Sequence, residues 1–178
     1  YRGIDGDGIG IAIIDTGVDG SHIDLNDNHR LNIDFVYGKL DDFVTGTHGS
    51  HVAGIAASDN PNIGVAYEAD IYGLQVGTIN PYKLDEPGID SDAVAKALRW
   101  VLDHHESYNI KVVNLSLGGG NWKLPQQSFQ QPNYSKWHTL INRMELEGVT
   151  VVGAAGNSYG FANLPDWANF DKNAWHSC

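Results

Sequence analysis

Residues Ile9 to Ile14 form an almost unbroken apolar run, Ile-Gly-Ile-Ala-Ile-Ile, closed by Asp15-Thr16-Gly17. A strand with no polar alternation has to be covered on both faces, and a parallel sheet packed by helices supplies that cover. The run therefore points to an α/β fold with this strand at its interior. It also puts a carboxylate at the strand's carboxyl end, where open α/β sheets keep their ligand crevice.

The rest of the chain repeats the theme. Leu31 to Val36 alternates enough for a short strand ahead of the acidic loop Lys39 to Gly46, and Asp70 to Val76, Val112 to Leu117 and Val149 to Ala155 read as further strands. Helical patterns lie between them. The stretch from Thr47 to Gly54 opens a helix at His48 that packs through Val52, Ala53, Ile55 and Ala56. Ser91 caps a second helix, whose Val94, Ala97, Leu98, Val101 and Leu102 make one apolar stripe. Trp137, Leu140, Ile141 and Met144 give a third, with Gly148 as its stop. Asp19 to Arg30 and Ile79 to Ile89 read as loops, and Asn121 to Tyr134, with aromatics and glutamines but no period, as a surface insertion. Strand alternating with helix, without repeat or linker, predicts one α/β domain over residues 1–178.

Charge narrows the partners. Twenty-two acids against eleven bases give a net charge of -11, which repels phosphate backbones and anionic lipid, and no apolar stretch reaches membrane-spanning length. Nucleic acid and membrane are thus not expected as partners. The single cysteine, Cys178, rules out an intrachain disulfide. The start at Tyr1-Arg2-Gly3, a few residues ahead of a strand and without a basic or apolar leader pattern, reads as a mature or excised domain. Asp5-Gly6-Asp7-Gly8 has the spacing of a calcium loop, but Ile14 stands where the closing glutamate belongs, so it reads as a turn.

Three polar residues fall at matching element ends: Asp15 after the first strand, His48 at a helix start and Asn157 after the last strand. A helix N-terminus disfavours positive charge on an imidazole, which suits a base. An acid that orients it and an amide that donates to a developing oxyanion complete what acyl transfer to a serine needs. Each residue also has a plainer explanation. His48 can be a polar start to a helix, Asp15 a turn former, and Asn157 the occupant of a left-handed position beside glycine.

Taken together, the motifs resemble those of the subtilisin-like serine proteases. Ile11-Ala12-Ile13-Ile14-Asp15-Thr16-Gly17-Val18-Asp19 is similar to the family's catalytic-aspartate motif and His48-Gly49-Ser50-His51-Val52-Ala53-Gly54 to its catalytic-histidine motif. Asn114-Leu115-Ser116-Leu117-Gly118-Gly119 is similar to the segment that pairs with extended substrate, and Ala154-Ala155-Gly156-Asn157 to the one carrying a pocket wall and the oxyanion asparagine. The resemblance implies a three-layer sandwich around a mostly parallel sheet, C-terminally truncated. It assigns Asp15, His48 and Asn157 to catalysis and Leu115, Ser116, Leu117, Gly118, Gly119, Ala155 and Gly156 to substrate binding. It implies an extended polypeptide as substrate, an extracellular location, and no cofactor for the chemistry. The family's Gly-Thr-Ser-Met-Ala-like nucleophile segment does not occur within these residues. A partial peptidase domain, inactive alone and completed by a missing C-terminal part, is therefore expected. A protease-derived module that binds extended peptide along Leu115 to Gly119 without cutting it is the alternative.

Three other arrangements compete. Gly156-Asn157-Ser158-Tyr159-Gly160 fits a nucleophile elbow, with Asp166, Asp171 and His176 following, but Asn163-Leu164-Pro165-Asp166 breaks the helix an elbow needs. The Asp15-Thr16-Gly17 of an aspartic protease lacks its second copy. His48, His51, His104 and His105 have no carboxylate or cysteine to complete a metal set, and an inward His51 satisfied by hydrogen bonds is expected instead. By the resemblance, Asp24 matches a calcium position of some members, but the companion loop, Ser58 to Ile63, is short and holds Pro61, which disfavours calcium there.

Overall fold

The computed structural model describes residues 4–38, 44–78, 88–117 and 132–154. Five strands, β1 (Gly10–Asp15), β2 (His29–Asp34), β3 (Asp70–Gln75), β6 (Ile110–Leu115) and β7 (Thr150–Gly153), form one sheet in the order β2-β3-β1-β6-β7. Every pairing in it is parallel. A separate antiparallel pair, β4 (Gly77–Thr78) with β5 (Gly88–Ile89), brackets the region expected as loop. Helix α1 (His48–Ala57) covers one face; α2 (Ser91–His104) and α3 (Pro132–Leu146) cover the other. The predicted three-layer α/β sandwich is the fold.

Burial of β1 is complete from Gly10 to Asp15, as its apolar run requires. Its side chains divide by parity. Ala12 and Ile14 join Tyr72, Leu74, Val113 and Leu115 against α2 and α3, while Ile11 and Ile13 join Ile71 against Ala53 and Ala57 of α1. All five predicted stripe residues of α2 are buried. Each of the larger ones, Val94, Leu98, Val101 and Leu102, contributes about 1.5–3 kcal/mol of burial.

Several boundaries move, for local reasons. β2 starts and ends two residues earlier than the alternation suggests; it ends there because Asp34 Oδ1 accepts the N–H groups of Val36 and Tyr37 and turns the chain. β6 likewise runs from Ile110 rather than Val112, the fully buried Ile110 outweighing the exposed Lys111 after it. The cap of α2 is Asp90 and not Ser91: its carboxylate accepts from Ala93 N at 2.8 Å. Helix α3 begins at Pro132, inside the stretch expected as insertion, with proline at a first-turn position where its missing N–H costs nothing. On α1, Ile55 is exposed; Gly49, Ala53 and Ala57 are buried, and Val52 and Ala56 pack beside them.

The connection β2-α1-β3 and the connection β3-α2-β6 step in the same direction across the sheet, yet their helices lie on opposite faces. They are therefore of opposite hand, and one departs from the right-handed rule. The departure has a local result. It brings the N-terminus of α1 over the carboxyl ends of β1 and β3 on a face that α2 and α3 leave free.

Candidate active site

Asp15, the last residue of β1, is 1% exposed, and His48, the first residue of α1, is 55% exposed in its side chain. The imidazole Nδ1 lies 2.9 Å from Asp15 Oδ1 and 3.0 Å from Oδ2. An ionised carboxylate can only accept, so Nδ1 carries the hydrogen and Nε2 is left with the lone pair. Asp15 Oδ1 also accepts Thr16 N at 2.7 Å. A buried acid thus fixes the tautomer and orientation of an imidazole that reaches solvent.

The helix is brought there by backbone contact. Thr47 makes no side-chain cap. The role passes to Thr16, whose hydroxyl accepts Gly49 N at 3.0 Å and donates to Gly46 O at 3.0 Å, tying the turn after β1 to the loop entering α1. Asp19 N donates to Ser50 Oγ at 2.8 Å. A Cβ at position 49 would collide with the carbonyl oxygen of Gly17, so glycine is what lets α1 approach the strand end this closely. On the other side of the turn, Val18 N donates to Asn32 Oδ1 at 3.2 Å and Asn32 Nδ2 donates to Val18 O.

The register extends this polar edge. Asp34, Gln75 and Asp15 stand opposite one another at the carboxyl ends of β2, β3 and β1, all buried, and one layer inward stand Asn32, Gly73, Ile13 and Asn114. Of the expected substrate segment, Leu115 is buried and paired with Gly153, and its carbonyl accepts Ala154 N at 3.1 Å. The backbone of Leu115 is therefore already engaged, and Ser116 and Leu117 are the described residues that continue past the pairing. Asn114 Nδ2 donates to Ser116 Oγ at 2.9 Å. Gly118, Gly119, Ala155, Gly156 and Asn157, together with Ser158, lie outside the described residues.

The other histidines go elsewhere. His51 is exposed on α1 rather than inward. His104 Nδ1 meets Trp100 O at 2.8 Å, and the buried His105 meets Glu147 at 2.9 Å through Nε2. Among the described residues no cluster of three or more His, Cys, Asp or Glu side chains could hold a metal. At the Asp24 position the companion loop is turned on itself, with Ser58 Oγ accepting Asn60 N and Asn60 Oδ1 accepting Asn62 N. No helix of the described residues is long and apolar enough to cross a membrane.

Thr16, Asn32, Gly73 and Gln75 were not singled out from the sequence. The signal for two of them was present: an amide inside the alternating Leu31-Asn32-Ile33 and a glycine inside the apolar Ile71-Tyr72-Gly73-Leu74 both mark a place where something passes close to a strand.

Compared with known proteins, the chain matches the Subtilase family over residues 6–175. Subtilisin E of Bacillus subtilis (strain 168) is 32% identical over 161 residues, covering 88% of this chain and 36% of that protein. Subtilisin Savinase of Lederbergia lenta is 34% identical over 161 residues, covering 88% of this chain and 51% of that protein. Among solved structures, Sphericase superposes with a TM-score of 0.66 at 32% identity, covering 86% of this chain and 47% of that one. A cold adapted subtilisin-like serine proteinase gives a TM-score of 0.67 at 26% identity, covering 89% and 50%. The chain spans about a third to a half of the length of these curated relatives.

Proposed function

This chain belongs to the subtilase family, and from that premise we propose that it is the N-terminal portion of a serine endopeptidase domain whose acid and base are Asp15 and His48. The observation that carries the reading is the hydrogen bond from His48 Nδ1 to the buried Asp15 carboxylate. With Nδ1 held, Nε2 takes the proton of a serine hydroxyl as its oxygen attacks the peptide carbonyl carbon, and returns it to the leaving amine. Asp15 stabilises the imidazolium formed in between. Asn157 donates to the oxyanion, and Ser116, Leu117, Gly118 and Gly119 pair with extended polypeptide alongside Ala155 and Gly156. By family resemblance the place of work is extracellular, and no cofactor enters the chemistry.

The nucleophile belongs to a segment outside residues 1–178, so these residues by themselves are inactive. The test is a fluorophosphonate probe together with a chromogenic peptide. Neither labelling nor hydrolysis is expected from the 178-residue chain alone. Labelling of this chain would overturn the proposal and make Ser158 the nucleophile. Peptide binding at micromolar levels, unchanged in His48→Ala, would favour a binding module instead.

A further inference from the structure

One buried amide is used by none of the steps above. Asn32 sits on β2, which is separated from β1 by the whole of β3, yet its side chain reaches the turn that follows β1. Gly73 explains how. It stands directly opposite Asn32 on β3, and a Cβ built there would overlap Asn32 Oδ1 and lie 3.2 Å from Val18 Cβ. The missing side chain is the passage by which the amide crosses the intervening strand.

What it reaches also needs it. Val18 is fully buried in a stretch with no ladder partner, so its N–H and C=O must both be satisfied from elsewhere. A carboxamide sets an acceptor oxygen beside an N–H donor, in the geometry of a neighbouring peptide group. Aspartate offers acceptors alone, and leucine of similar size offers neither. Asn32, 7% exposed, supplies both bonds. The turn is thereby held at two sides: against α1 by Thr16 with Gly49 and by Asp19 with Ser50, and against the sheet by Asn32.

We propose that Asn32 is a positioning residue for the Asp15–His48 pair, its amide passing through the gap at Gly73 to clasp Val18 and fix the turn on which the acid and the approach of α1 depend. The inference rests on the reading of Asp15 and His48 as acid and base. Its consequence is that damage at Asn32 loosens a hydrogen bond on a different strand and helix, while the sheet and the opposite face stay intact.

The experiment is NMR of the 178-residue chain with ¹⁵N-labelled histidine, following solvent exchange of the low-field Nδ1 proton of His48, with the His105–Glu147 signal on the other face as internal reference. In Asn32→Ala that exchange is expected to quicken about tenfold, the factor that fits loss of the two bonds of the clasp, while the reference holds. Gly73→Ala is expected to match it from the opposite strand. The double variant is expected to be no worse than either single one, because both remove the same clasp. Unchanged His48 exchange in folded Asn32→Ala, or effects that add in the double variant, would overturn the proposal. If Asn32→Ala does not fold, Asn32→Asp decides: it keeps the acceptor for Val18 N and loses the donor to Val18 O, so quickened exchange supports the clasp and wild-type exchange overturns it. Absence of a carboxylate-held Nδ1 proton in the wild-type chain would instead overturn the acid–base reading, and this inference with it.

Discussion

The two faces of the sheet are built on different principles. Against α2 and α3, the strands offer Ala12, Ile14, Tyr72, Leu74, Val113 and Leu115, apolar to the last position, and the helices answer with Val94, Leu98, Val101, Ile141 and Met144. Against α1, the apolar layer is thin, and the strand ends carry Asn32, Asp34, Gln75 and Asp15. Helix α1 meets them with small residues at i, i+4 and i+8, Gly49, Ala53 and Ala57. Small residues bury little area but permit close approach. The first face supplies most of the hydrophobic stabilisation; the second holds a geometry through backbone contact and buried polar bonds.

That division can be broken from either side. The largest loss of stability is expected on the apolar face: Leu98→Ala, at a fully buried position, should cost about 2–5 kcal/mol in chemical denaturation. Below its unfolding transition the variant should keep the His48 Nδ1 proton as in the wild type. A folded Leu98→Ala chain that has lost that proton would show that the faces are not independent. On the polar face, Gly49→Ala sets a Cβ against Gly17 O and should cost about 1–3 kcal/mol, despite alanine's better helix propensity. Here the His48 signal should suffer as well. If neither changes, close approach of α1 is not what sets the Asp15–His48 distance.

How much of this was legible in the sequence follows the same division. The apolar face reads directly, because hydrophobic period is a local property: the α2 stripe and the β1 run appear in the structure with the residues named from the sequence. Asp15 and His48 were legible as element ends, and their motifs made them a pair. The clasp of Asn32 on Val18 was not legible, since it depends on register between β2 and β3, a long-range property that no window of sequence carries. On α1, Val52, Ala53 and Ala56 pack as expected, and the one residue misplaced, Ile55, fails for a related reason. Ile55 looks like a core residue by hydropathy, but a helix held by backbone contact turns its glycine and alanines inward and leaves the isoleucine outside. His51, one turn earlier on that outer side, is exposed with it.

A finer test of the polar face keeps shape and removes one hydroxyl. Thr16→Val leaves Gly49 N and Gly46 O without the Thr16 Oγ1 that joins them. With Thr16 and Gly49 both buried, about 1–3 kcal/mol should be lost, the cost of stranding buried polar groups. The His48 proton should exchange faster than in Leu98→Ala at equal global stability. Equal exchange in the two variants would mean that the hydroxyl serves folding alone.

The smallest effect is expected at Glu147, which joins the ends of α2 and α3. Arg143 Nε donates to its Oε1 at 2.9 Å and His105 Nε2 contacts its Oε2 at 2.9 Å, and these partners hold the carboxyl below its ordinary 4.5. A carboxylate with a depressed value in the folded state adds stability above its unfolded value and loses it as pH falls through the folded one. The stability margin of the wild type over Glu147→Gln should therefore be present near neutral pH and fade as acid passes below 4.5. Because the group is exposed, solvent screens the pair and the margin should be slight. Thermal melts of both chains across that range measure it, and a margin that grows in acid would reverse the assignment of partners. The pair sits with the helices of the apolar face, so His48 exchange at neutral pH should be the same in both chains; a change there would tie the far helices to the Asp15–His48 edge.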